Sequence, residues 1–237
     1  MKGYQKVKAT IIDVYKQVKS QIETKDKELQ TAYPNEPHIV KLMDRTLTDR
    51  IRLADEYIEL TIQSNIDIEQ NIIASFLQTM EWRDQAMMEN LLWLAEEVYP
   101  TEKFIVWAHN DHIRKAQSDV MGSYTVKMMG ELLPDIYKKY SYVLGLYMAS
   151  GETTNNARVP LKVLPAIKGS IEDILSTTNK PYTFIDLRNR QNERGNSWMF
   201  EPRLAYSWGV MQESFVPRDQ YDGILLIDKV NKPTYIK

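Results

Sequence analysis

Two of the three histidines in this 237-residue chain stand three residues apart, in Trp107-Ala108-His109-Asn110-Asp111-His112. Imidazole titrates near neutral pH, so a histidine can take up or release a proton there, which suits it to activate water or to support a developing charge. The preceding residues, Phe104-Ile105-Val106-Trp107-Ala108, form an apolar run without alternation. That is the pattern of a strand buried on both faces of a parallel sheet. The carboxyl ends of such strands open onto the ligand crevice, so His109 and His112 are expected where chemistry takes place. The same pair also fits a bland role, capping the next turn or bonding backbone carbonyls. His109, Asp111 and His112 offer nitrogen and oxygen donors to a metal, but no third histidine or adjacent glutamate completes a zinc pattern, and no metal site is expected.

A second polar group, Arg83-Asp84-Gln85-Ala86-Met87-Met88-Glu89-Asn90, interrupts an apolar helical stripe. Seven residues are about two helical turns, which puts Arg83, Met87 and Asn90 on one face. A buried arginine beside Asp84 and Asn90 is able to hold a catalytic histidine or a substrate carboxylate by paired hydrogen bonds. A structural ion pair between two elements is the competing reading.

Other chemistries find no support. The chain has no G-x-S-x-G elbow, P-loop or G-x-G-x-x-G, so neither a serine nucleophile nor a bound nucleotide is indicated. It has no cysteine, which excludes disulfides, a thiolate nucleophile and cysteine-based zinc. Lys plus Arg (30) nearly balances Asp plus Glu (32), so no field draws in a polyanion and no nucleic-acid partner is expected. The five tryptophans read as core or pocket wall. The first nineteen residues mix apolar and charged types without an apolar core. They are neither a signal peptide nor a span, and cytoplasmic residence without a membrane partner is expected.

The elements that must position these residues follow from periodicity. Helices are predicted over residues 4–33, 38–62 and 68–98, with Pro34 and Pro37 ending the first. A capping site at Ser64-Asn65-Ile66-Asp67 precedes the third, and Pro100 closes it. Strands are predicted at 104–108, 142–148, 159–163, 182–187 and 223–227. A helix is predicted over 121–140 with a break at Pro134, and a short one over 171–175 opened by Ser170. The polar loop 188–198, with its three arginines, reads as solvated surface. The expected fold class is α/β: long N-terminal helices followed by a mostly parallel sheet with flanking helices, an incomplete three-layer α/β/α arrangement. Residues 1–100 are the helical segment and residues 101–237 the sheet-forming one.

The motif Arg83-Asp84-x-x-Met87-x-x-Asn90-x-x-Trp93-Leu94, followed by Val106-Trp107-Ala108-His109-Asn110-x-His112-Ile113, resembles the erythromycin esterase family, which includes succinoglycan-biosynthesis-like proteins. Weaker matches continue through Met121-Gly122, Gly169-Ser170-Ile171-Glu172 and Tyr221-Asp222-Gly223-Ile224. The resemblance implies a hydrolase that opens an ester or lactone with a histidine-activated water, without metal or other cofactor. It implies His109 and His112 as catalytic residues, and Arg83, Asp84, Asn90 and Asn110 as substrate-binding or supporting ones. Members also carry, upstream of the R-D helix, a G-E-x-T-H-G-type segment whose glutamate and histidine activate the water. This sequence contains no such segment. It therefore reads as the C-terminal portion of an esterase-type domain, or as a non-catalytic remnant or binding protein that keeps the pocket wall. The expected partners are a small ester or lactone and either the missing N-terminal part or a second copy of the chain.

Overall fold

Residues 1–188 and 191–235 are described by a computed structural model in which about half of the chain is helical and the C-terminal part carries a small mixed sheet. The chain divides into two compact units, Met1–Ile105 and Val106–Lys237.

The first unit is helical. It comprises α1 (Lys2–Gln5), α2 (Lys8–Thr24), α3 (Asp26–Ala32), α4 (Ile39–Arg52), α5 (Ile58–Glu69) and α6 (Ala74–Trp93). A π turn at Leu53–Tyr57 joins α4 to α5, and another, Leu94–Val98, ends α6 just before Pro100. Helix α2 packs on α4, and α5 on α6. Lys19 pairs with Asp44 across the first contact. Tyr57 stacks on Trp82 at 4.7 Å, and the Trp82 indole donates to Glu56 at 2.8 Å.

The break expected at Ser64 is absent: α5 runs on to Glu69, and Ser64 is buried inside it. Residues 38–73 contain neither proline nor glycine, so nothing stops the helix there. The chain turns instead at Asn71, whose φ of +60° is a conformation asparagine tolerates. Ser75 then donates to Asp67 at 2.5 Å.

The second unit holds β1 (Leu144–Thr154), β2 (Pro160–Lys162), β3 (Tyr182–Asp186), β4 (Arg203–Ser207), β5 (Met211–Phe215) and β6 (Gly223–Val230). Its helices are short: α7 (Asn110–Ile113), α8 (Met129–Leu132), α9 (Asp135–Tyr140), α10 (Ile171–Ser176) and α11 (Pro217–Gln220). Four strands form a sheet in the order β2-β1-β6-β3, and β4 and β5 make a separate antiparallel pair.

Only β1 and β6 run parallel, whereas β2 and β3 are antiparallel to their neighbours. The sheet is thus mixed where the sequence suggested a mostly parallel one. Local turn chemistry accounts for part of this. Asn155 accepts the N–H groups of Ala157 and Val159 and folds β2 straight back on β1, which a tight turn can do only in antiparallel fashion.

Residues 104–108 form no strand. Ile105 is 94% exposed and Trp107 83%. An apolar extended segment becomes a strand only when another strand takes up its backbone groups, and none of the described residues does so. Residues 121–128, expected to be helical, are not. Met121 makes an isolated bridge to Ser214, and the helix appears only as α8 and α9 on either side of Pro134.

Strands β1 and β6, the Ile171–Leu175 face of α10 and the hairpin residues Ala205 and Phe215 share one core. Ser170 opens α10 as expected, its Oγ accepting the Asp173 N–H at 3.2 Å, a cap worth about 1 kcal/mol. In the polar loop, Arg190 lies outside the described residues. Among the described residues no helix is long and apolar enough to cross a membrane.

Candidate active site

His109 is the N-cap of α7, with an extended backbone at φ −61° and ψ 151°. Its Nδ1 faces Asp111 twice, 3.4 Å from the backbone nitrogen and 3.3 Å from Oδ2. The His109 side chain is one-third exposed, 33%, and its ring meets the Trp208 ring edge-on at 5.4 Å and 81°. His112 lies one turn on, partly buried, and its N–H donates to the His109 carbonyl at 3.0 Å.

Asn110 is buried and acts as a side-chain substitute for a neighbouring strand. Its Nδ2 donates to the Leu146 carbonyl at 2.9 Å, and its Oδ1 accepts the Leu146 N–H at 3.1 Å, fixing the start of α7 to β1. His109, Asp111 and His112 do not form a group placed to hold a metal ion among the described residues.

Trp208 reaches the histidine from the β4–β5 turn. Its φ is +55° and that of Gly209 is +72°, and Val210 N–H closes the turn on the Ser207 carbonyl at 3.1 Å. Two consecutive positive φ values suit the right-handed twist of a hairpin. Glycine adopts them freely, but a bulky residue does so at a steric cost, and such strain persists only where its surroundings hold it.

Beneath α7 lies Arg114, whose side chain is fully buried. Nε donates to Tyr221 Oη at 2.5 Å, Nη1 to Gln117 at 2.9 Å and to Asp111 Oδ1 at 3.4 Å, and Nη2 to Tyr147 Oη at 3.0 Å and to Glu213. The guanidinium carbon also sits 4.9 Å from the Phe215 ring centre and 5.6 Å from that of Tyr221. Burial works against the Arg114 charge, but Tyr147, Tyr221 and Glu213 more than compensate, so it is held more firmly protonated than usual. Burial also pushes the Tyr221 hydroxyl up to about 12, against the pull of Arg114.

Two buried carboxylates of this unit, Glu213 and Glu172, differ from Asp111. Burial raises Glu213 in spite of Arg114, in keeping with an Oε2 that has no hydrogen-bond partner among the described residues. Burial likewise raises Glu172, whose Oε1 accepts the Tyr206 N–H at 2.7 Å.

For Asp111, burial again favours the neutral form. Here the His109 hydrogen bond and charge outweigh it, with Arg114 and His112 adding to the pull, and the carboxyl titrates below its ordinary value of 3.8. A depressed folded-state value contributes stability above the unfolded one and loses it as pH falls through the folded one. Wild type is therefore expected to exceed Asp111→Asn in urea midpoint at neutral pH. The gap should close as the pH drops below 3.8. A gap unchanged at low pH would remove this account of Asp111.

The remaining candidates lie in the helical unit, where the expected arrangement is reversed. Asp84 is fully buried, whereas the Arg83 side chain is 45% exposed, with Nη2 3.3 Å from Asp84 Oδ2. Adjacent helical positions lie about 100° apart, so one of the two must turn away from the core; the buried face of α6 runs through Ser75, Thr79, Asp84 and Met88. Asn90 accepts from Arg45 Nε at 2.8 Å, which links α6 to α4. Sequence reasoning missed Arg114, Glu213 and Tyr147; Tyr221 appeared only in a weak match and Trp208 only as core or pocket wall. No local signal marked Arg114, which stands in the polar stretch Asn110-Asp111-His112-Ile113-Arg114-Lys115-Ala116-Gln117.

Comparison with known proteins agrees with the motif. The family model for erythromycin esterase matches residues 3–230. A Bacillus subtilis (strain 168) protein named as a hydrolase, YbfO, is 30% identical over 236 residues, covering 97% of this chain and 52% of that protein. A Bacillus cereus protein of known crystal structure matches with a TM-score of 0.66 and 20% identity, over 95% of this chain and 53% of its own. A succinoglycan biosynthesis protein matches at TM-score 0.61 and 16% identity, over 96% and 53%. An erythromycin esterase, EreC, in its open conformation matches at 0.56 and 15%, over 94% and 53%. The chain spans about half the length of these relatives. With its family model matched along nearly all of its residues, the chain belongs to the erythromycin esterase family.

Proposed function

We propose that this chain supplies the histidine-bearing part of a hydrolase that opens an ester or lactone by attack of water, with His109 and His112 as the catalytic residues. The observation that carries this reading is His109 itself, partly exposed at the head of α7 with Nδ1 engaged by Asp111, in a chain of esterase family. One imidazole accepts a proton from water as it attacks the carbonyl, and the other stabilises the oxyanion that forms. Asn110, fixed to Leu146, keeps the histidine segment in place. Arg83 and Asp84 are proposed as a substrate-binding or supporting pair and Asn90 as a supporting residue, with no metal or other cofactor required.

The apolar exposure of Ile105 and Trp107 supports association with a polypeptide corresponding to the rest of the relatives' length. A strictly monomeric chain in light scattering, alone and mixed with such a polypeptide, counts against that association.

Hydrolysis is tested with p-nitrophenyl esters and a macrolide lactone, for the chain alone and together with the part of a relative that it does not cover. His109→Ala is expected to lower the rate at least about 100-fold, the scale of a lost general base. An unchanged rate in that variant refutes the assignment. Binding without turnover in both settings replaces it with a non-catalytic binding protein.

A further inference from the structure

His109 Nδ1 stands before two groups of one residue, and they require opposite protonation. The Asp111 backbone N–H, at 3.4 Å, needs a bare Nδ1, whereas the Asp111 carboxylate, at 3.3 Å, needs an Nδ1 that carries the proton. The geometry points to Asp111 as a positioning residue that selects the Nδ1–H form of His109 and leaves Nε2 with its lone pair, and to Arg114 as the fixed support that aims the carboxylate. The inference rests on the reading of His109 as the proton-accepting residue.

Bond strength and confinement both favour the carboxylate as the partner of Nδ1. A hydrogen bond to an ionised acceptor is roughly twice as strong as one between neutral groups, and the two distances are nearly equal, so the carboxylate prevails. The carboxylate is also not free to swing away, because its second oxygen lies 3.4 Å from Arg114 Nη1. A guanidinium has five N–H donors. Those of Arg114 face Tyr221, Gln117, Asp111, Tyr147 and Glu213, and its central carbon lies over the rings of Phe215 and Tyr221. A group held on every side is a rigid anchor. The low titration of Asp111 agrees with a carboxylate that remains ionised throughout.

Water adds its oxygen to the carbonyl carbon and gives one proton to Nε2. The ring becomes an imidazolium, with the Nδ1 proton still on Nδ1 and Asp111 still unprotonated. As the carbon–oxygen bond of the leaving group breaks, Nε2 returns the proton to the departing alkoxide.

The experiment is nitrogen NMR of the full chain labelled with 15N-histidine. Only His38, His109 and His112 contribute, and His109 is identified by the signals lost in His109→Gln. At a pH where the ring is neutral, wild type is expected to show a protonated Nδ1 and a bare Nε2. Asp111→Asn, nearly equal in shape, is expected to move the proton to Nε2 and, where turnover is measurable, to lower kcat at least about 100-fold with little change in KM. Arg114→Lys keeps the charge but loses the fork, and is expected to give a mixture of the two forms of His109.

A wild-type His109 protonated on Nε2, or an Asp111→Asn spectrum like that of wild type, overturns the role of Asp111. A pure Nδ1–H form in Arg114→Lys overturns that of Arg114. Because the spectrum is read without turnover, a proton shift in a chain that hydrolyses nothing would sink the proposed function while leaving this inference standing.

Discussion

Replacing Arg114 by methionine is expected to destabilise the sheet unit by about 3–5 kcal/mol, the range for removing one partner of a buried ion pair. The loss arises less from the missing attraction than from what stays behind. Glu213 is 2% exposed, already has one oxygen without a hydrogen-bond partner among the described residues, and in this variant would lose the cation beside the other. Tyr147 and Tyr221, both buried, lose the donors that meet their hydroxyls.

The paired change Arg114→Met with Glu213→Leu is expected to recover most of the stability, because two apolar groups of similar volume ask for no partner. Urea unfolding followed through tryptophan emission distinguishes the cases, read as the transition of this unit rather than of the whole chain. A single variant within about 1 kcal/mol of wild type would show that the network is not worth what its burial implies.

Gly130→Ala is also expected to be damaging, against the usual preference of helices for alanine over glycine by about 1 kcal/mol. A Cβ on Gly130 would lie 2.3 Å from the Ile113 carbonyl oxygen and 2.6 Å from that of Arg114. Those are backbone atoms at the end of α7, so they cannot rotate out of the way as a side chain would. Helix α8 must back off or α7 must shift, and overpacking of this kind costs about 1–3 kcal/mol. The variant should therefore show a lower melting temperature together with moved NMR signals of His109 and His112. A stabilised protein with unmoved histidine signals would mean that the two helices tolerate more separation than the contact suggests.

What could be read from sequence was what local chemistry decides. Strands β1, β3 and β6 stood out because apolar runs end at glycine, proline or charged residues, and α10 because Ser170 and Asp173 form a cap. The residues around His109 were legible only as a spacing. Its surroundings depend on contacts that no local pattern encodes: Glu213 lies 99 residues from Arg114, Tyr221 lies 107. Strands β4 and β5 escaped because their turn places a tryptophan where glycine or asparagine would have signalled a hairpin. Residues 104–108 show the converse, a strand composition without strand pairing. Arg83 and Asp84 were recognised as a pair, but which of the two turns inward depended on how α6 rotates about its axis.

The indole of Trp107 has an optical consequence. Of the five tryptophans it alone is exposed, at 83%. Its emission is therefore that of an indole in water, at the long-wavelength end of the protein's spectrum and open to collisional quenchers such as acrylamide. Any molecule that settles over this stretch shifts that component toward the blue and shields it, so the chain carries its own label for whatever covers it.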